Sequence, residues 1–223
     1  DRLGGHTGGN LLLSMMEQYS GDFLAAVDGL RTLLDCVGRV WPISVEQATV
    51  CAEYDDGSTT QGEVEVDFEQ SRGRRVSRIW LEPEVNIHPA AAAAIPTFDA
   101  VIIGPGSFYT SLVPIFLPNG VREAVAAVDG PIVLVTNLLT EGRGMRGFSV
   151  AAAVARISEA IGRGVDVVIV NTGNPGDESL ARYAAEHKEP LPVGDVPDGC
   201  EVVTGEFWRG EFARHARRRL AYA

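Results

Sequence analysis

The chain has 223 residues, 45% of them hydrophobic and 22% charged, with a formal net charge of −11 at pH 7. That is enough apolar material for one sizeable core and is not a disordered composition. The acidic balance argues against nonspecific nucleic-acid binding, which needs a basic surface, yet leaves room for a small phosphorylated ligand in a local pocket. No apolar run reaches the ~18 residues of a membrane span, and no signal-peptide pattern is visible. Cys36, Cys51 and Cys200 lie far apart without CxxC or Cys/His spacing. They are expected to be buried small hydrophobes in a reducing cytoplasm, with no zinc site.

The chain starts at Asp1 and runs at once into "GGHTGGN", an abrupt opening that predicts further residues upstream. That stretch reads as a loop feeding a helix, with Gly8 and Gly9 permitting unusual backbone and Asn10 as the N-cap. His6 and Thr7 precede the helix start, where backbone amides suit a phosphate; a purely structural loop histidine is the alternative. In "GDFLAAVDGLRTLLDCVG" the residues Phe23, Val27, Leu30, Leu33, Leu34 and Val37 have helical spacing, closed by Gly38. Residues 39–82 change character. "ATVCAEYDDGSTTQGEVEVDF" alternates around Asp56-Gly57, a hairpin signal, and "RVSRIWLEP" adds a strand, giving a small antiparallel β insertion.

From residue 89 onward, short apolar runs alternate with helices. "PAAAAAI", "NGVREAVAAVDG", "GFSVAAAVARISEAIG" and "DESLARYAAEHK" read as helices. "FDAVIIGPGS", "PIVLVTNLL" and "VDVVIVNTG" read as buried strands. The expectation is an α/β fold, a Rossmann-like parallel sheet with helices on both faces, in a single domain spanning residues 1–223. The tail "EFARHARRRLAYA" is basic and expected to be helical.

Ligands of open α/β sheets sit outside the carboxyl ends of the strands. Three such ends carry polar residues. The first is Gly104, Pro105, Gly106 and Ser107, followed by Tyr109, Thr110 and Ser111. Glycines let backbone amides approach an anion and hydroxyls add donors, although a plain βα turn has the same sequence. The second is Thr136 and Asn137; the third is Asn171, Thr172, Gly173 and Asn174, where helix caps are the alternative. In "EGRGMRG", Arg143 and Arg146 either close over a phosphorylated ligand as bidentate donors or occupy an exposed loop. Arg214 and His215 head a basic cluster that also fits cations complementing a helix dipole. His88 and His187 are expected to be incidental, and Phe207 and Trp208 to be packing anchors. No nucleophile–base pair, GxSxG or HExxH is present, and no strand end shows carboxylates placed for a metal, so binding is better supported than catalysis.

"GGHTGGNLLL", "GRVWPISVEQATVCAEYDDGSTTQGE", "RIWLEP", "FDAVIIGPGSFYTSLVP" and "RYAAEHKEPLPVGD", in this order, resemble the CofD-like superfamily over nearly the whole chain. That superfamily contains the 2-phospho-L-lactate transferases and the YvcK-type gluconeogenesis factors, and the first two stretches look closer to the second branch. The resemblance implies a Rossmann-like fold with ligand at the strand ends. It implies either a cytoplasmic protein that binds a nucleotide sugar of the UDP-N-acetylglucosamine kind and influences carbon flow or cell-wall synthesis, or a transferase. The transferase would move a phospholactyl group from a nucleotide onto a deazaflavin, with Mg2+, in making coenzyme F420. Carried over residue by residue, it marks His6 and Asn10, then residues 104–107 with Thr110 and Ser111, then Asn137, Arg214 and His215; Thr7 and Gly9 of the same first loop are candidate ligand contacts beside them. It also implies a glycine-rich nucleotide loop upstream of residue 1, and a homodimer is one assembly compatible with it. Glu141, Gly142, Arg143, Gly144 and Met145 stand where the family often has Gln-Pro-Gly-Glu-Thr, and Pro114, Ile115 and Phe116 where it often has Pro-Asn-Leu.

Overall fold

The computed structural model describes residues 8–223. Two helices come first, α1 (Gly8–Ser20) and α2 (Phe23–Leu33), packed on one another. Asp22 caps α2 by accepting from the Ala25 amide at 2.7 Å. α1 already begins at Gly8, so Asn10 lies within its first turn and is not the expected N-cap. Once the apolar turn at residues 11–16 has formed, running it back through glycine costs only about 1 kcal/mol per residue relative to alanine. His6 and Thr7 lie outside the described residues.

Next comes an antiparallel sheet of β1 (Thr49–Tyr54), β2 (Thr59–Gln61) and β3 (Val76–Glu82), in the order β2-β1-β3. Asp56 and Gly57 form the turn of the β1–β2 hairpin, as the sequence predicts. "EVEVDF" does not extend it. Helix α3 (Glu63–Ser71) stands there instead and buries only Val66 and Gln70, one helical turn apart. Val64 and Phe68 are exposed, so the alternation has no sheet face to serve, and Glu63 and Glu65 suit the positive end of a helix.

The larger layer follows in regular order. Helix α4 (Pro89–Ala94) is capped by His88, whose Nδ1 accepts from the Ala90 amide at 3.3 Å. Then come β4 (Val101–Ile103), α5 (Val121–Ala126), β5 (Ile132–Val135), α6 (Val150–Ile161), β6 (Val167–Asn171), α7 (Asp177–Ala185) and β7 (Glu201–Gly205). The four strands are parallel, in the order β4-β5-β6-β7. β7 has no counterpart in the sequence reading, because Glu201 and Val202 are exposed and its apolar pattern is short. Ile132, Leu134, Val168 and Val170 point into the large core with α5 and α6. There α6 buries Val150, Ala153, Val154, Ile157 and Ile161 at helical spacing, between a Ser149 cap and Gly162.

The alternate strand residues Val133, Val135, Ile169 and Val203 form a smaller cluster on the other face, with Phe207 and Leu220. β4 was expected to be buried, but it is an edge strand and its Ile102 is 71% exposed. The tail is a hairpin, β8 (Trp208–Arg209) and β9 (Phe212–His215), and only its last part is a helix, α8 (Arg217–Leu220). Gly210 has a φ of 63° and supplies the turn that a continuous helix would exclude. Phe207 is buried as a packing anchor, and Trp208 packs edge-on against Tyr183. Of the cysteines only Cys51 is buried; Cys36, in the bend after α2, is exposed, and Cys200 is half-buried. No helix among the described residues is long and apolar enough to cross a membrane.

The two faces of the sheet predict different sensitivities. Leu134→Ala, at a position 1% exposed, should cost about 2–5 kcal/mol in urea unfolding, and Ile102→Ala less than about 1 kcal/mol. Equal losses would contradict the placement of the core.

Candidate functional site

The carboxyl ends of β4 and β5 converge on one carboxylate. After β4 the chain runs through residues 104–107 into one wide π-helical turn, Phe108–Leu112, in which the Leu112 amide donates to the Ser107 carbonyl at 2.8 Å. The Phe108 amide has no partner within that turn. It donates to both oxygens of Glu141, at 2.9 and 3.0 Å. Asn137, at the end of β5, donates from Nδ2 to Glu141 Oε1 at 2.9 Å and to the Gly106 carbonyl at 2.8 Å. The Ser107 hydroxyl approaches Glu141 Oε2 at 3.4 Å and shares a 2.6 Å hydrogen bond with Thr110. A backbone amide, a side-chain amide and a hydroxyl therefore face one oxyanion, and the chain's own glutamate supplies it.

A second carboxylate closes the cluster. Asp67, on α3, accepts from Thr110 Oγ1 at 3.0 Å and from Ser107 Oγ at 3.4 Å. Burial pushes the Glu141 carboxyl up to about 7. The charge on Asp67 adds to this, and the Phe108 amide, the Ser107 hydroxyl and Lys188 pull against it. Neither acid was expected at the strand ends. Glu141 sits four residues after Asn137, in a segment whose arginines alone stand out in the sequence, and Asp67 belongs to the helix read as strand.

The glycines of the turn are informative because the fold does not require them. Neither Gly104 nor Gly106 has positive φ; a Cβ on Gly104 would meet nothing within 4 Å, and one on Gly106 only Ser111 Cβ at 3.6 Å. Their effect is to keep the space above the turn open. That space continues into a cleft of about 510 Å3 with mostly apolar walls, among them Phe98, Ile102, Pro105 and Ile115, with Ser111 at its edge.

The other expected residues are distributed unevenly. Thr110 is buried and its hydroxyl is committed to Ser107 and Asp67, so it positions the turn and is not a free donor. Thr136 is buried and donates to the Ile169 carbonyl at 3.2 Å. Asn171 is a clamp: its Oδ1 accepts from the Phe207 and Gly173 amides at 2.8 and 3.1 Å. His215, on β9, bonds the Thr136 backbone and so reaches the β5 end; burial holds its pKa below the usual imidazole range, and the Thr136 bond offsets part of this. Arg214, its neighbour on the strand, is exposed on the opposite side. Arg143 and Arg146 do not close over the turn; they line a different cleft, with His187, whose ring Arg143 contacts. Gly9 and Asn10 lie in α1.

The residues present fit Mg2+ poorly. Asp67, Ser107 and Thr110 offer hard oxygens, but both oxygens of Glu141 receive N–H donors, which aim at anions. Among the described residues no group of three acidic, histidine or cysteine side chains is placed for a metal.

The model of one family, described as 2-phospho-L-lactate transferase CofD, matches residues 1–208. The chain belongs to the CofD family. Within it, the chain is 32% identical to a gluconeogenesis factor of Listeria monocytogenes, over 99% of its own length and 69% of the relative's. It is 30% identical to the gluconeogenesis factor of Bacillus subtilis, over 98% and 70% respectively. A crystal structure of a UPF0052 family member from Bacillus halodurans superposes with a TM-score of 0.88 at 28% identity, covering 100% of this chain and 73% of that one. CofD-family membership thus agrees with the α/β architecture and with the motif-bearing turn after β4.

Glu141 holds its proton more tightly in the folded protein than in the unfolded chain. The stability it contributes is present below about pH 4.5 and is lost as pH rises through about 7. Urea unfolding between pH 5 and 8 should show a decline on the order of 3 kcal/mol from this group, and Glu141→Gln should flatten it. An unchanged slope in the variant would contradict the assignment.

Proposed function

We propose that the chain is a binding protein for a phosphorylated ligand, of the gluconeogenesis-factor type. The ligand class is a nucleotide sugar resembling UDP-N-acetylglucosamine. The observation that carries this reading is the donor set of Phe108, Ser107 and Asn137 around one oxyanion, on the turn whose Gly104 and Gly106 line the adjoining cleft. A ligand phosphate takes those donors when Glu141 gives them up, and the adjoining cleft of about 510 Å3 accommodates a base or sugar against apolar walls. The relatives' name, gluconeogenesis factor, supports a role in controlling carbon metabolism, with cell-wall synthesis as the other process reached through such a ligand.

A transferase acting on a deazaflavin is the second reading. It draws on the family's description and on Asp67 beside the Ser107 hydroxyl, but the poor fit of Glu141 to a metal weighs against it.

The test is thermal unfolding with UDP-N-acetylglucosamine. At 100 times Kd the ligand should stabilise the protein by about 2.7 kcal/mol, and binding should tighten as pH falls below about 7 and Glu141 releases its donors. Gly106→Val should leave cooperative unfolding intact and remove the shift. No shift at millimolar ligand would overturn the reading and direct the next assay to deazaflavin with a nucleotide donor.

A further inference from the structure

A separate cleft of about 630 Å3 is lined by Arg75, Arg143, Arg146, His187 and Lys188, with Glu189 the one acid on its wall. None of residues 104–111 lines it, and none of its lining residues borders the apolar cleft beside Gly104. In a chain of net charge −11 this is a local excess of positive charge. Arg74 is held by Glu69 at 3.0 Å, whereas among the described residues no carboxylate pairs with Arg75, Arg143 or Arg146. Lys188 is shared with Glu186 at 2.7 Å.

The backbone holds these cations together. Gly144 packs so closely on the end of α3 that a Cβ there would fall 2.3 Å from the Arg74 carbonyl oxygen and 3.0 Å from that of Gln70. No side chain separates the segment carrying Arg143 and Arg146 from the one carrying Arg75. Arg75 Nη2 donates to the Arg146 carbonyl at 3.3 Å. His187 has a φ of 59°, a left-handed conformation uncommon outside glycine, and its Nε2 meets the Arg143 guanidinium. The fold thus gathers three guanidinium groups around an open volume and, among the described residues, pairs none of them with a carboxylate. A planar fork that forms paired hydrogen bonds matches the oxygens of a phosphate better than a spherical chloride, and several such forks suit the higher charge of a phosphate.

We propose that this cleft is a second anion site that takes a small phosphorylated metabolite, held by Arg143 and Arg146 with Arg75 and Lys188 adding charge. It is independent of the ligand assigned to the strand ends. The experiment is calorimetric titration with inorganic pyrophosphate, and with chloride as control, at fixed ionic strength. The wild type, Arg143→Ala/Arg146→Ala, Arg143→Lys/Arg146→Lys and Asn137→Ala are compared, with circular dichroism melts to check folding. The double alanine variant should lose the pyrophosphate binding event or bind about tenfold more weakly, the double lysine variant should fall between it and the wild type, and Asn137→Ala should keep the binding event that the double alanine variant loses. Equal affinity in the wild type and the double alanine variant would overturn the proposal. So would a loss confined to Asn137→Ala, which would place the phosphate at the strand-end turn instead.

Discussion

One half-buried carboxylate ties the functional end of this molecule together. Glu141 accepts from the Phe108 amide beyond β4 and from Asn137 beyond β5, and through the Ser107 hydroxyl it adjoins Asp67 of α3. A carboxylate taken out of water has to be compensated by donors or by a proton, and here both operate. The donors fix the path of the 104–107 turn, and burial raises the affinity for the proton until the group titrates near neutrality. The antiparallel sheet and its helix are therefore part of the site, because α3 supplies the second acid and the packing surface for residues 142–144.

The segment from Asn137 to Arg146 separates two environments. On one side lie the glycine turn and an apolar cleft; on the other, a cleft lined by cations. Glu141 faces the first, and Arg143 and Arg146 face the second. The one-directional order of the parallel strands produces this layout, since it brings the β4 and β5 ends side by side with their following loops on the same edge.

Much of the architecture was legible because β4, β5 and β6 are short apolar runs between amphipathic helices, a pattern that burial on both faces sets for the central strands β5 and β6. The turn after β4 and Asn137 were legible for the same reason: polar residues placed abruptly after such runs stand out. What failed was local pattern without burial. "EVEVDF" alternates but is a helix, because only Val66 and Gln70 meet the core. The tail reads as helical by composition, yet Gly210 and the Trp208–His215 pairing make it a hairpin. Asp67 and Glu141 could not be found from the sequence, since their proximity depends on α3 packing against the loop beyond β5, a contact between residues far apart in the chain. Arg143 and Arg146 were visible as cations, but their direction was set by Gly144 lying against the α3 carbonyls, which no spacing encodes.

The central claim is that Glu141 is held on the Phe108 amide and carries a displaced proton affinity. The most direct measurement is an NMR titration of the Glu141 side-chain carboxyl carbon, with the Phe108 amide followed in the same samples. The account predicts a midpoint near 7, with the Phe108 amide shift moving at the same pH. A midpoint near the ordinary 4.5, with a Phe108 amide insensitive to it, would contradict the account.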